Sequence, residues 1–312
     1  NKLKIAVFIL CLFAVFPVPS FAKTFAAGVS APSIPSSDYL VGTFYFPAWR
    51  LDTKDQSTDG WLSLEKFPER KPLLGYYDEG NPEVADWEIK WAAEHGVNFF
   101  IFEWMRCDMA TNGSHCPDVL GKTIDTNRLP RHQALHDGFF RAQHQDKMKF
   151  AMVLVDNLPH SQSFSSLNDL RTNLMPYLIN TYFKKSNYLI INNKPILYML
   201  TSLKDLETMS GGPAQAKEAL RIMRQSVQSN GFTDLIIVGH DWQFVNRSLS
   251  DNQKLKEYGF DYAFSYVTPV VSVNGKNVGN NPTEQQAIDS QKQSYDYLNA
   301  NTSLPFIVTA SP

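Results

Sequence analysis

The sequence predicts an α/β fold, a barrel of parallel strands each followed by a helix, and three observations predict it. Apolar runs of strand length alternate with helical stretches along most of the chain. Two runs, Phe99-Phe100-Ile101-Phe102 and 235–238, are apolar at every position, as strands covered on both faces are. No glycine-rich phosphate loop follows any strand, which weighs against a nucleotide-binding doubly wound sheet and toward a (β/α)8 TIM-type barrel.

The strands are expected at 39–49, 97–104, 149–156, 195–201, 235–241, 262–268 and 305–309, with 188–191 and the turn Asn192-Asn193 just before the fourth. Helices fall between them. Asn81 caps one, Pro82 takes its first position, Val84, Trp87 and Trp91 recur on one face, and Gly96 stops it. A second, 214–230, carries Leu220, Met223 and Val227 as a stripe and ends at Gly231. Thr283 and Gln286 form a capping box ahead of Ile288, Tyr295 and Leu298. Seven strands are visible where a barrel needs eight, and Ala310-Ser311-Pro312 follows the seventh at once. Either one strand is missed or the chain stops before its last β/α unit; the second reading is the expectation, because barrel closure otherwise lacks a seam.

Composition narrows the function classes. At 312 residues, 43% hydrophobic and 19% charged, the chain is long and apolar enough for a sizeable core, which excludes disorder. A net charge of −2 removes the usual electrostatic case for nucleic acid. Aromatic residues reach 13%, which suits either a large core or ring platforms for sugar faces.

The amino terminus reads as an address. Lys2 and Lys4 precede the unbroken apolar run 5–16, Pro17 and Pro19 end it, and Ser20-Phe21-Ala22 supplies small residues for cleavage. The run is too short for a membrane span, which needs about 20 residues. The expected organisation is a signal peptide over 1–22, a flexible leader over 23–37 and a barrel over 38–312, secreted or periplasmic, with no membrane contact after cleavage. Cys11 leaves with the signal. Cys107 and Cys116 bracket a polar loop and are expected to pair in an oxidising compartment. A metal site using His115 is the alternative, but two thiols and one histidine match no standard zinc pattern, so neither metal nor cofactor is expected.

Barrel chemistry sits at the C-terminal strand ends. In order, these offer Tyr45, Pro47 and Trp49; Glu103 and Trp104; Asp156, Asn157 and His160; Thr201 and Ser202; His240, Asp241 and Trp242; Tyr266; and Thr309 with Ser311. Carboxylates can move protons or bind hydroxyls, and rings hold sugar faces, so a glycan is the expected partner. Tyr45, Trp49, Glu103, Trp104, Asp156, Asn157, His240, Asp241 and Tyr266 are the expected substrate-binding residues. Structural alternatives stand beside them. Glu103 can pair with Arg106, Asp156 can cap a turn with Asn157, and His240-Asp241-Trp242 can be packed loop residues. Tyr77-Asp78-Glu79 reads as solvated surface and His95 as a helix C-terminal charge partner. No serine elbow, HExxH or CxxC occurs, against esterase and metalloprotease readings.

Three stretches then resemble one barrel family: Pro72-Leu73-Leu74-Gly75-Tyr76-Tyr77-Asp78, Asn81-Pro82-Glu83-Val84, and Trp91-Ala92-Ala93-Glu94-His95-Gly96-Val97. Together with the aromatic–Pro–x–Trp ending of 41–49 they are similar to glycoside hydrolase family 99 and its WbsX-like relatives, and Phe306 to Pro312 resembles the seventh strand there. The resemblance is strongest over 39–104. It implies retaining, endo-acting cleavage of α-mannosides, with the substrate's own 2-hydroxyl as nucleophile and two glutamates at E-x-x-E spacing on the eighth strand. This chain has no two glutamates three apart, so the resemblance carries only sugar-contacting roles, onto Tyr45, Trp49 and Glu103. The remaining residues are strand-end inferences. The expected function is a secreted glycoside hydrolase-like barrel whose catalytic pair lies beyond residue 312. The alternatives are a non-catalytic carbohydrate-binding barrel and a WbsX-like domain of polysaccharide biosynthesis. A nucleotide-dependent transferase is weakened by secretion. Linkage, host and oligomeric state stay open.

Overall fold

The computed structural model describes residues 28–50, 61, 64, 66–107, 119–158, 161–242, 250–266 and 282–309, and the backbone at 5–8, 272–273, 276–277 and 310. His160 and Cys116 lie outside the described residues. Seven parallel strands stand where the sequence predicts them: β2 (Leu40–Tyr45), β3 (Phe99–Trp104), β4 (Lys149–Asp156), β6 (Lys194–Thr201), β7 (Ile236–His240), β8 (Tyr262–Phe264) and β11 (Val308–Ala310). A short β5 (Ile190–Ile191) turns back on β6 through Asn192 and Asn193, both at positive φ. β9 (Ser272–Val273) and β10 (Lys276–Asn277) form a separate hairpin.

The remaining strand, β1 (Ile5–Phe8), lies parallel between β11 and β2. It falls in the stretch that reads as a signal peptide and not as a strand, and it takes the ladder position that the sequence reading assigned to a unit beyond residue 312. The ladder runs β11-β1-β2-β3-β4-β6-β7-β8 and then returns on itself. Ala263 of β8 pairs with Phe306, with the Ala263 N–H donating to Pro305 O at 2.9 Å and the Ile307 N–H to Ala263 O at 2.8 Å. The result is a TIM-type barrel of parallel strands.

Successive side chains on a strand point to opposite faces, and here the two faces are two separate cores. Phe44, Phe99, Ile101, Val153, Tyr198, Val238, Phe264 and Ile307 pack together inside the barrel. Phe100, Phe102, Trp104, Phe150, Met152, Leu154, Leu197, Met199 and Ile237 face outward and pack under the helices.

Helix α1 (Pro82–Glu94) starts as its punctuation dictates, with the Glu83 N–H donating to Asn81 Oδ1 at 3.0 Å. Its buried stripe is Val84, Ala85, Ile89, Ala92 and Ala93; Trp87 and Trp91, expected on that face, are only half-buried and pack on each other. His95 Nδ1 reaches Trp91 O at the helix end. The run 167–183 alternates α and π turns. Leu170, Leu174, Leu178 and Tyr182 recur there every fourth residue and are buried. A four-residue repeat drifts about 40° per turn on an ideal α-helix, and the wider turns remove the drift. Then come α2 (Leu203–Ser210), α3 (Pro213–Gln228), α4 (Ser250–Tyr258) and α5 (Glu284–Asn301). Leu220, Met223 and Val227 are buried on α3 as the periodicity requires. Both capping-box bonds form at Thr283, and Tyr295 and Leu298 are buried, but Ile288 is exposed. Within the expected leader, Val29 is buried and its carbonyl accepts from His144 Nε2 at 2.7 Å.

Gly138 shows how closely the loops pack. A Cβ there would stand 2.0 Å from the backbone oxygen of Glu79. Gly138→Ala is therefore expected to cost roughly 3 kcal/mol in urea denaturation. Gly96→Ala, at φ +85 with nothing within 4 Å, is expected to cost about 1 kcal/mol, the backbone term alone. Equal costs would contradict this packing.

Candidate functional site at the C-terminal mouth

Strand alternation sorts the expected site residues. On β3 the inward set is Phe99, Ile101 and Glu103, so Glu103 reaches the interior at the C-terminal rim. On β7 the same parity brings His240 inward, against Phe264 (5.1 Å between ring centroids). Tyr266, two residues beyond Phe264, packs on Phe44 (5.0 Å) and donates its hydroxyl to Glu103 Oε1 at 2.6 Å. Trp242 packs on His240 (4.3 Å) and remains 47% exposed. A continuous chain of contacts thus runs from Glu103 through Tyr266, Phe44, Phe264 and His240 to Trp242.

The other expected residues lie elsewhere, and for Tyr45, Trp104 and Asp156 the cause is their outward parity. Tyr45 faces outward among Phe100 and Phe102 and donates to Glu88 Oε2 of α1 at 2.8 Å. Trp104 is buried under the helices, its indole N–H donating to the Tyr182 hydroxyl at 3.1 Å. Asp156 is fully buried on the outward face of β4, accepting from Thr201 Oγ1 at 2.9 Å and from the Ser163 N–H at 2.6 Å. Asn157 is exposed and forms a backbone bridge with Ser161. This is the loop-pinning alternative for that pair. Trp49 stacks on Trp61 at 4.1 Å, and its N–H donates to Glu79 Oε2 at 2.9 Å. Asp241 is buried one residue past β7, its N–H donating to Phe264 O. Cys107 is buried and disulfide-bonded.

Electrostatics separate a structural charge pair from a reactive one. Arg106 does not pair with Glu103. It is 1% exposed, donates to Asp169 Oδ2 at 2.8 Å, and ties Ser163, Val119 and Lys122 carbonyls together. Glu103 therefore sits at the rim bonded to the Tyr266 hydroxyl. Burial pushes its carboxyl up to about 7, against the lowering pull of the Tyr266 hydroxyl and the Arg131 charge. Burial likewise pushes the His240 imidazole down to about 3, so the ring stays neutral over the physiological range. Its Nδ1 has no hydrogen-bond partner among the described residues. The rim thus offers a proton-holding acid, a neutral imidazole and exposed rings. Among the described residues no group of three or more potential metal ligands gathers.

Three features escaped sequence reasoning. Phe46, 45% exposed beyond Phe44, carries the Arg131 guanidinium 4.7 Å over its ring. Counting by twos from Phe44 would have found it; nothing local points to Arg131. The third is an acid pair, Glu79 bonded to the Trp49 main chain and Glu88 bonded to the Tyr45 hydroxyl. Glu79, read as solvated surface, is 3% exposed, because its backbone and carboxylate both bond the Trp49 main chain. Burial, and then the charge of Glu88, lift the Glu79 carboxyl well above the usual range. Burial lifts Glu88 to about 7, against the Tyr45 hydroxyl.

No family model matches the chain, and no curated protein matches it. Two solved structures of the GH99 endo-alpha-mannosidase from Bacteroides thetaiotaomicron are similar to it. One, in complex with BIS-TRIS-Propane, is 14% identical at a TM-score of 0.46, covering 87% of this chain and 69% of that one. The other is 13% identical at 0.46, covering 87% and 71%.

The acid pair has a measurable consequence. A carboxyl raised from 4.5 to about 7 on folding contributes stability that is intact below about pH 4.5 and drains as pH rises through about 7. Glu88→Gln removes that dependence. The variant's melting temperature relative to the parent is expected to climb by several degrees between pH 5 and pH 8; a flat difference would show that Glu88 ionises freely.

Proposed function

We propose that the C-terminal mouth of this barrel is a carbohydrate site and that the protein is a secreted or periplasmic, glycoside hydrolase-like barrel. The observation that carries the reading is Glu103: a rim carboxyl bonded to Tyr266 at 2.6 Å and holding its proton to about pH 7. Such a group donates to a sugar or glycosidic oxygen below that pH and accepts from a hydroxyl above it. His240 adds a neutral ring nitrogen for a second hydroxyl, and the exposed rings of Phe46 and Trp242 suit sugar faces. The stretches over 39–104 that resemble family 99 support the same class.

The finer reading is retaining cleavage of an α-linked, mannoside-type glycan. The family's reaction uses a glutamate pair at E-x-x-E spacing, which residues 1–312 do not contain. Glu103 alone can bind and protonate; it cannot supply both roles of that reaction. The missing pair is also what favours the second reading, a barrel that binds glycans without cutting them.

The full-length gene product, screened against a glycan panel that includes α-mannans, separates the two. Hydrolysis is expected, falling off as pH rises through about 7, and Glu103→Gln is expected to lower kcat/KM by about 100-fold. Trp242→Ala is expected to weaken binding by about tenfold, on the order of 1.4 kcal/mol. Binding without product from any glycan selects the second reading, and binding to none overturns both.

A further inference from the structure

The Glu103 carboxyl has two oxygens, and the fold treats them differently. The Tyr266 hydroxyl donates to Oε1 at 2.6 Å, and among the described residues it is the hydrogen-bond partner that Glu103 has. The direction of that hydroxyl is set by packing inside the barrel. The Tyr266 ring stands edge-on to Phe44 at 5.0 Å between centroids, and Phe44 in turn stacks on Phe264 at 5.5 Å and meets the edge of Tyr198 at 6.0 Å. Rings from β2, β6 and β8 therefore seat a tyrosine that lies two residues past the end of its own strand. Glu103 comes from the opposite direction along the chain, at the inward parity of β3.

An oxygen that accepts from a phenol turns its lone pair toward that donor, so a proton held by this carboxyl sits on the other oxygen, Oε2. The pairing also limits what Glu103 can grip. A carboxylate that holds a sugar by two neighbouring hydroxyls needs both oxygens, and here one is already taken. Glu103 is left as a one-oxygen group, which suits an acid better than a clamp for a diol. When the proton leaves Oε2, the negative charge spreads over a carboxylate whose Oε1 already receives a hydrogen bond, and such bonds strengthen with charge. The other titratable groups facing it are Arg131, whose charge favours the ionised carboxyl, and His132, His136 and Tyr182, which border the same small recess. Burial pushes the His136 imidazole down to about 4, so that ring adds no charge near neutral pH.

We propose that Tyr266 is a positioning residue: it occupies Oε1 of Glu103 and so directs the carboxyl's proton through Oε2 to a single ligand oxygen. The inference rests on the carbohydrate site proposed above and assigns the residue that orients its acid. In the step it describes, the Oε2–H bond breaks, the proton passes to the ligand oxygen and the electron pair stays on the carboxylate. Under the hydrolase reading that ligand oxygen is the glycosidic one; under the binding reading it is one sugar oxygen held by one hydrogen bond.

The test follows the Glu103 proton itself, by carbon-13 NMR titration of the full-length protein labelled at its glutamate carboxyl carbons. The Glu103 resonance is the one that Glu103→Gln removes, and its midpoint is expected at about 7. Tyr266→Phe keeps the ring against Phe44 and deletes the donor, so the midpoint is expected to rise by about half to one pH unit. Replacing Tyr266 with 3-fluorotyrosine, a stronger donor of nearly the same shape, is expected to move it below that of the parent. Loosened packing would admit water and lower the midpoint in the phenylalanine variant, the opposite sign. On a glycan that the parent cleaves, Tyr266→Phe is expected to lower kcat about tenfold with KM little changed, and to carry the alkaline limb of the pH profile upward with the midpoint. A midpoint that falls or stays in Tyr266→Phe overturns the inference and leaves the carbohydrate site standing. Both shifts as expected, with no glycan bound, count against the carbohydrate site and not against the pairing.

Discussion

The two-residue alternation of a closed parallel ladder is the constraint from which the rest of this structure follows. Once β11, β1, β2, β3, β4, β6, β7 and β8 are hydrogen-bonded around a ring, every strand residue has one of two destinations, the barrel interior or the layer under the helices. Both are apolar and closely packed, so a polar side chain near a strand end either reaches the rim or must be satisfied in place. Glu103, His240 and Tyr266 have the inward parity and converge. Tyr45, Trp104 and Asp156 have the outward parity and become partners of Glu88, Tyr182 and Thr201. A shift of one residue decides between a rim group and a structural one.

The second constraint is the scarcity of buried cations. Asp169 has Arg106 beside it: burial works to raise its carboxyl, but hydrogen bonds from Asn173 and Ser165 and the Arg106 charge outweigh that and hold it low. Glu79, Glu88, Glu103 and Asp156 have hydroxyl and amide donors in their surroundings, and burial lifts all four. The consequences differ with place. At Asp156 the result is a pinned loop, at Glu79 and Glu88 two carboxyls that fasten the Trp49 main chain and the Tyr45 hydroxyl, and at Glu103 an acid at the rim. The same desolvation becomes a candidate for chemistry only where a ligand can reach it.

Much of this was legible in the chain itself. Apolar runs placed seven of the eight ladder strands, because a strand buried on both faces tolerates little else. Asn81, Pro82 and the Thr283–Gln286 pair marked helix starts, because capping is a contact between near neighbours. Glu103 stood out for a related reason: a carboxylate closing a fully apolar strand is costly without a role. What stayed hidden depends on contacts remote in sequence. Nothing within reach of Glu79 along the chain says that the Trp49 main chain will bury it, and nothing near Arg131 says that Phe46 lies beneath it.

Local pattern, then, was enough to determine the fold class, seven of its strands and the acid at the end of the second predicted one, since each depends on the chemistry of a short window. Only the tertiary structure decided which rings meet that acid, which carboxylates are buried together, and which of two adjacent residues faces the interior. Those depend on the register and closure of the ladder, which is a property of all its strands at once.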